Sequence, residues 1–136
     1  EADGVHWVGT VEELYEKSHY VSLHIPANSE TKNSINYALL SRMPKPATLV
    51  NTARKEVVNE ADLLKVFEER ADFEYVSDVE PGCSAEMREK FAGRFYFTPK
   101  KMGAQTEEAN VNAGLAAIRQ IVDFFEKGDV RFKVNK

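Results

Sequence analysis

Short apolar runs alternate with amphipathic stretches along most of the chain. Residues 5–8 read as a brief β run. Thr10 with Glu13 three positions on has the spacing of a capping box, which predicts a short helix to about Lys17. Residues 20–25 are rich in β-branched and aromatic types and end at Pro26, as a strand would. A polar loop at 28–32 follows. Ile35, Leu39, Leu40 and Met43 then recur at helical spacing until Pro44 and Pro46 stop them. Residues 47–50 form a continuous apolar run, the pattern of a strand buried on both faces. Asn59 can cap a helix through about Arg70, with Leu63, Leu64 and Phe67 as its buried stripe. Strands are expected at 73–77 and 94–98, with one short helix in the loop at 80–91. Thr106 opens the longest helix, whose stripe is Val111, Leu115, Ile118, Val122 and Phe125, and Gly128 closes it. Residues 130–134 read as a short extended tail.

Strand and helix alternate throughout, which predicts an α/β fold with a parallel sheet and helices on both faces. Neither an internal repeat nor a low-complexity segment interrupts the pattern. Of the 136 residues, 43% are apolar and 29% charged, and 22 acidic against 18 basic residues give a net charge of −4. That balance argues against disorder and against a nucleic-acid binder built on a basic patch. The apolar runs fall far short of the ~20 residues of a membrane span. Cys83 stands alone, so no internal disulfide can form and a reducing, cytoplasmic setting fits. His6, His19 and His24 lack metal-ligand spacing.

In parallel sheets of this kind, ligands sit beyond the carboxyl ends of the strands. Those ends carry His24-Ile25-Pro26, Asn51-Thr52-Ala53-Arg54, Asp78-Val79-Glu80-Pro81, and the loop Thr98-Pro99-Lys100-Lys101-Met102-Gly103-Ala104. Four consecutive ends with polar or charged groups are more than structural loops need.

Read together and in order, Leu-His-Ile-Pro, Leu-Val-Asn-Thr-Ala-Arg, Asp-Val-Glu-Pro and the Thr-Pro-Lys-Lys-Met-Gly-Ala loop make the chain resemble the D-isomer-specific 2-hydroxyacid dehydrogenases, from about Val11 to Asn135. The resemblance implies part of a doubly wound, Rossmann-like sheet that binds NAD. Residues 1–105 would be the C-terminal portion of the cofactor domain, lacking its first two strands. Residues 106–136 would be a return helix and tail toward the substrate domain. The implied reaction oxidises the 2-hydroxyl of a small D-2-hydroxyacid, with 3-phospho-D-glycerate the expected substrate and a homodimer the expected assembly. Arg54 matches the arginine that grips the substrate carboxylate. Thr52 and Ala53 match the stretch whose backbone lines the nicotinamide, Asp78 matches the aspartate that accepts from its carboxamide, and His24, Ile25, Pro26, Arg54 and Gly103 complete the implied cofactor-binding set, with His24 supporting the cofactor loop. Cys83 is expected to be inert.

Two departures stand out. The family's Thr-Pro-His-Ile-Gly-Ala loop has no histidine here, and one residue is inserted, so either Lys100 or Lys101 takes its place. A lysine can polarise a carbonyl as a cation. It can shuttle a proton where desolvation or Arg54 draws its pKa toward neutrality. The resemblance also implies a catalytic glutamate that tunes the histidine; Glu80 is the candidate, standing about three residues closer to the aspartate than the family glutamate does, and the alternative is that this glutamate is missing. Gly-x-Gly-x-x-Gly, which cradles a dinucleotide pyrophosphate, is absent from the chain. These residues alone are therefore expected to bind NAD poorly, and the bare edge of the strand at 20–25 to pair with a second copy or to belong to a longer chain. The lost histidine leaves open a non-catalytic NAD-sensing scaffold, and a dehydrogenase for another D-2-hydroxyacid is a further alternative. A flavodoxin-like or receiver-like domain would need an acidic cluster where Val8-Gly9-Thr10 stands.

Overall fold

Strands and helices alternate from residue 11 to residue 97 of the computed structural model, which describes residues 4–100 and 106–135. The chain divides into two units, Glu1–Lys101 and Met102–Lys136. In the first, Thr10 caps α1 (Val11–Lys17) by accepting from the Glu13 amide at 3.1 Å. Glu13 reaches back to the amide of Gly9 at 3.0 Å. β1 (Tyr20–Leu23) leads to α2 (Tyr37–Leu40), and β2 (Ala47–Asn51) leads to a 3-10 turn at Lys55–Val57 and then α3 (Glu60–Glu69). Asn59 caps α3 through the amide of Asp62. β3 (Phe73–Ser77), α4 (Ser84–Lys90) and β4 (Phe95–Phe97) complete the unit.

The four strands among the described residues form one parallel sheet in the order β1-β2-β3-β4. Tyr20 pairs with Thr48, Ala47 with Phe73, and Tyr75 with Phe95. Each strand is added on the same side of the last. Right-handed crossovers in a sheet that advances in one direction put their helices on one face. That face carries Val21, Leu23, Ala47, Leu49, Phe73 and Tyr75, packed with Tyr15, Leu40, Leu63, Val66, Phe67 and Met87 of the helices into one core. The opposite face carries Tyr20, Thr48, Glu74 and Tyr96. With Tyr20 75% and Tyr96 63% exposed, α1–α4 leave this side open. Helices on both faces were expected; residues 4–100 build one wound half of that doubly wound, Rossmann-like architecture.

Other departures from the sequence reading have local causes. Residues 5–8 form no strand, because an apolar run becomes one only beside a partner and no described strand lies there. β1 stops at Leu23, whose partner Asn51 is the last residue of β2. Helix α2 is a single turn; Ile35 instead bridges to Val58, with hydrogen bonds from its amide to Val57 and from Asn59 back to its carbonyl. The buried stripe of α3 is Leu63, Val66 and Phe67, with Leu64 at its edge.

Two arginines tie the end of α3 into the unit. Arg70 is buried and donates to the carbonyls of Met43 at 2.7 Å and Pro44 at 3.3 Å, and to the Asp72 carboxylate at 2.6 Å. Arg94 donates to the carbonyls of Arg70 and Phe67 and lies over the rings of Phe67 and Phe91.

In the second unit, Thr106 caps α5 (Glu107–Lys127) through the amide of Ala109. Gly128 ends it with φ +64°, a left-handed conformation that glycine adopts without strain. The expected extended tail turns instead at Arg131, whose guanidinium pairs with Asp129. No helix among the described residues is long and apolar enough to cross a membrane.

Candidate active site

The carboxyl ends of β1 and β2 meet in an open cavity of about 500 Å³, lined by His24, Ile25, Pro26, Ala27, Thr52, Ala53 and Arg54. Six of the residues singled out from sequence are thus brought together. Their positions follow from short-range bonding. Ser22 and His24, two apart and so on the same face of the strand, share a 2.9 Å hydrogen bond between Oγ and Nε2. Pro26 is fixed from the following loop, where Asn28 Oδ1 accepts from the amides of Glu30 and Thr31 and the Thr31 hydroxyl donates to the Pro26 carbonyl.

The Thr52–Arg54 wall hangs on Asn51. Asn51 Oδ1 accepts from the Ala53 amide at 3.0 Å, and its Nδ2 donates to the Arg54 carbonyl at 3.0 Å and the Tyr75 hydroxyl at 3.2 Å. Arg54 is exposed. Its Nη1 donates to the Ala53 carbonyl at 2.8 Å, and no carboxylate among the described residues pairs with it. A guanidinium held by one donor keeps others for a planar anion.

Asp78 follows β3, with its amide donating to the Asn51 carbonyl at 3.2 Å. Glu80 does not line the cavity. Arg88 pairs with its carboxylate, and that bond, with a smaller one from Ser84, holds the carboxyl below the usual carboxylate range. Lys100 is exposed just past β4, where its carbonyl accepts from the Thr98 hydroxyl at 2.9 Å. Lys101 and Gly103 lie outside the described residues. Burial, then the neighbouring Glu60 carboxylate, push the Cys83 thiol up to about 11, which makes it a poor nucleophile at neutral pH. No cluster of His, Cys, Asp or Glu among the described residues could hold a metal ion.

Asn51 is the residue that sequence reasoning underrated. It was visible as the polar end of an apolar strand two positions before a loop amide, the spacing of an Asx turn. Its bond to Tyr75 had no local signal.

Two strand ends supply the cavity with backbone groups and with small or apolar side chains at Ala27, Ala53 and Ile25. The pyrophosphate has no glycine-rich cradle in this chain.

Residues 1–95 match the model of the D-isomer-specific 2-hydroxyacid dehydrogenase NAD-binding domain. A D-3-phosphoglycerate dehydrogenase of Synechocystis is 32% identical over 125 residues, covering 90% of this chain and 22% of the relative. A glyoxylate reductase of Korarchaeum cryptofilum is 44% identical over 66 residues, 48% of this chain and 20% of the relative. The crystal structure of NAD+-bound 3-phosphoglycerate dehydrogenase of Entamoeba histolytica superposes with a TM-score of 0.81 at 47% identity, covering 95% of this chain and 42% of that one. The chain therefore spans less than half the length of these relatives. Its four-stranded parallel sheet and the family match agree, and the chain belongs to the D-isomer-specific 2-hydroxyacid dehydrogenases, in their NAD-binding domain.

Proposed function

We propose that the whole protein is an NAD-dependent dehydrogenase that oxidises 3-phospho-D-glycerate to 3-phosphohydroxypyruvate, a step toward serine. The observation that carries this reading is Arg54, exposed beside the strand-end cavity and free of any carboxylate among the described residues. Its planar guanidinium would take the substrate carboxylate in two parallel hydrogen bonds and so fix C2 against the cofactor. His24, Ile25, Pro26, Thr52, Ala53 and Gly103 would hold the nicotinamide, and Asp78 would accept from its carboxamide. When bound, NAD supplies the acceptor for the hydrogen that leaves C2 with its electron pair. Lys100 or Lys101 would take the proton of the 2-hydroxyl as the C2–O double bond forms. Glu80, held by Arg88, is left without a part in that transfer, and a lysine has no imidazole ring for it to orient. Support for the phosphorylated substrate comes from the phosphoglycerate dehydrogenases among the relatives and from Lys55, Lys100 and Lys101 beside Arg54 and on the β4 loop. Support for homodimer assembly comes from the family resemblance, and support for a cytoplasmic location from the resemblance and the lone Cys83.

The test is NADH formation by the intact protein with 3-phospho-D-glycerate, compared with D-lactate and, in the reverse direction, glyoxylate. The phosphorylated acid should give the highest kcat/KM. A second reading, the non-catalytic NAD sensor, is favoured by the missing loop histidine; it predicts NAD binding with no turnover of any of the three.

A further inference from the structure

We infer that Asn51 is a positioning residue, which sets where Arg54 stands and couples the end of β2 to the end of β3. The inference rests on the reading of Arg54 given above. Asn51 is fully buried, and every polar group it owns toward the loop is used. Its side chain brackets residues 53 and 54: the amide before Ala53 is held by Oδ1 and the carbonyl after Arg54 by Nδ2, both at 3.0 Å. The backbone of Arg54 (φ −146°, ψ 143°) thus leaves the sheet between two anchors before it enters the 3-10 turn. The second Nδ2 bond, to Tyr75 Oη, ties that bracket to the core side of β3. On the other side, the Asn51 carbonyl accepts from Ser77 Oγ at 3.0 Å and from the Asp78 amide at 3.2 Å. One residue therefore joins the strand end that carries Arg54 to the one that carries Asp78.

Few side chains could replace it. Serine is too short to reach both the Ala53 amide and the Arg54 carbonyl. Aspartate would keep the acceptor for Ala53 but face the Arg54 carbonyl with an oxygen in place of a donor. Because a guanidinium must meet its carboxylate in a fixed plane, a loop displaced by about 1 Å is enough to cost on the order of a hundredfold in rate.

The experiment is a double-mutant cycle on the intact protein, read as kcat/KM for 3-phospho-D-glycerate. Asn51→Ala and Asn51→Asp should each lower it at least about tenfold in the native background. In an Arg54→Ala background either one should change the residual rate by less than about threefold, because the group it positions is gone. Tyr75→Phe, which leaves the Ala53 and Arg54 bonds in place, should hold kcat/KM within about threefold while lowering the melting temperature. Equal factors from Asn51→Ala in both backgrounds, or a loss in Tyr75→Phe as large as in Asn51→Ala, would mark the effect as one of general stability and overturn the inference. Undiminished activity in both Asn51 variants, with Arg54→Ala inactive, would overturn it and leave the role of Arg54 standing. Full activity in Arg54→Ala would remove both. Either Asn51 variant alone suffices if the other does not fold.

Discussion

Replacing Arg70 by methionine should cost the chain about 3 kcal/mol of stability. The buried guanidinium, 9% exposed, is the donor to the Met43 carbonyl at 2.7 Å, and losing a hydrogen bond from a charged donor costs roughly 1.5–2 kcal/mol. The longer bond to Pro44, at 3.3 Å, adds about 0.5–1. Asp72, 22% exposed, loses its 2.6 Å partner; water reaches the carboxylate, so this is worth only about 0.5–1. Methionine keeps most of the stem packing, so the burial term is small. With a urea slope of about 1.5 kcal/mol per molar, the midpoint should fall by about 2 M. Arg70→Lys should lose about half as much, since one ammonium cannot span two carbonyls and a carboxylate. Acid gives a further check. The hydrogen bond from Arg70 is the main cause holding the Asp72 carboxyl below its ordinary range, with burial opposing it. A carboxyl depressed in the folded state contributes stability above its unfolded pKa of about 4 and loses it as pH falls through the folded value. The gap between wild type and Arg70→Met should therefore narrow below about pH 4. A loss under about 1 kcal/mol at pH 7 with an unchanged slope would refute the reasoning, and a gap that stays flat in acid would remove Asp72 from it.

Arg54→Lys in the intact protein should lose on the order of a hundredfold in kcat/KM with little change in NAD affinity, measured by steady-state kinetics beside a fluorescence titration. Near-normal turnover would take Arg54 out of the site. Lys100→Met and Lys101→Met, made separately, should abolish turnover in one case and spare it in the other; two active variants would place the proton acceptor elsewhere. The Cys83 thiol, raised to about 11, should react slowly with iodoacetamide at pH 7 and faster as pH rises toward 10, and rapid labelling at pH 7 would contradict its protonated state.

The elements that were legible in the sequence are those whose signals are local. Asn59 and Thr106 cap α3 and α5 as their spacing predicted, and the strand at Phe73–Ser77 appears residue for residue. What the sequence hid depends on distant partners. Residues 5–8 carry a strand pattern but have no strand to pair with among the described residues, and Ile35 is drawn from its helix by Val58, 23 positions away. The cavity residues were legible because the end of each strand is marked by a change from apolar to polar. The pairing of Glu80 with Arg88 was not, since it depends on where α4 begins, and neither was the bond that fastens Asn51 to Tyr75 across two strands.

The strand order has a consequence for how the sheet assembles. Each strand pairs with the next one in the chain, at separations within the ~30 residues of a single crossover unit. Among the described residues no strand of this sheet waits for a distant one, so contact order between the four strands is low for a parallel sheet, and little loop entropy is lost at each step. As the polypeptide leaves the ribosome, β2 can dock on β1, β3 on β2 and β4 on β3 in the sequence of their synthesis, each crossover helix closing over the core before the next strand emerges. The Asn51 bracket can close on Ala53 and Arg54 as soon as β2 and its loop are made, and Tyr75 fastens it to the core one strand later.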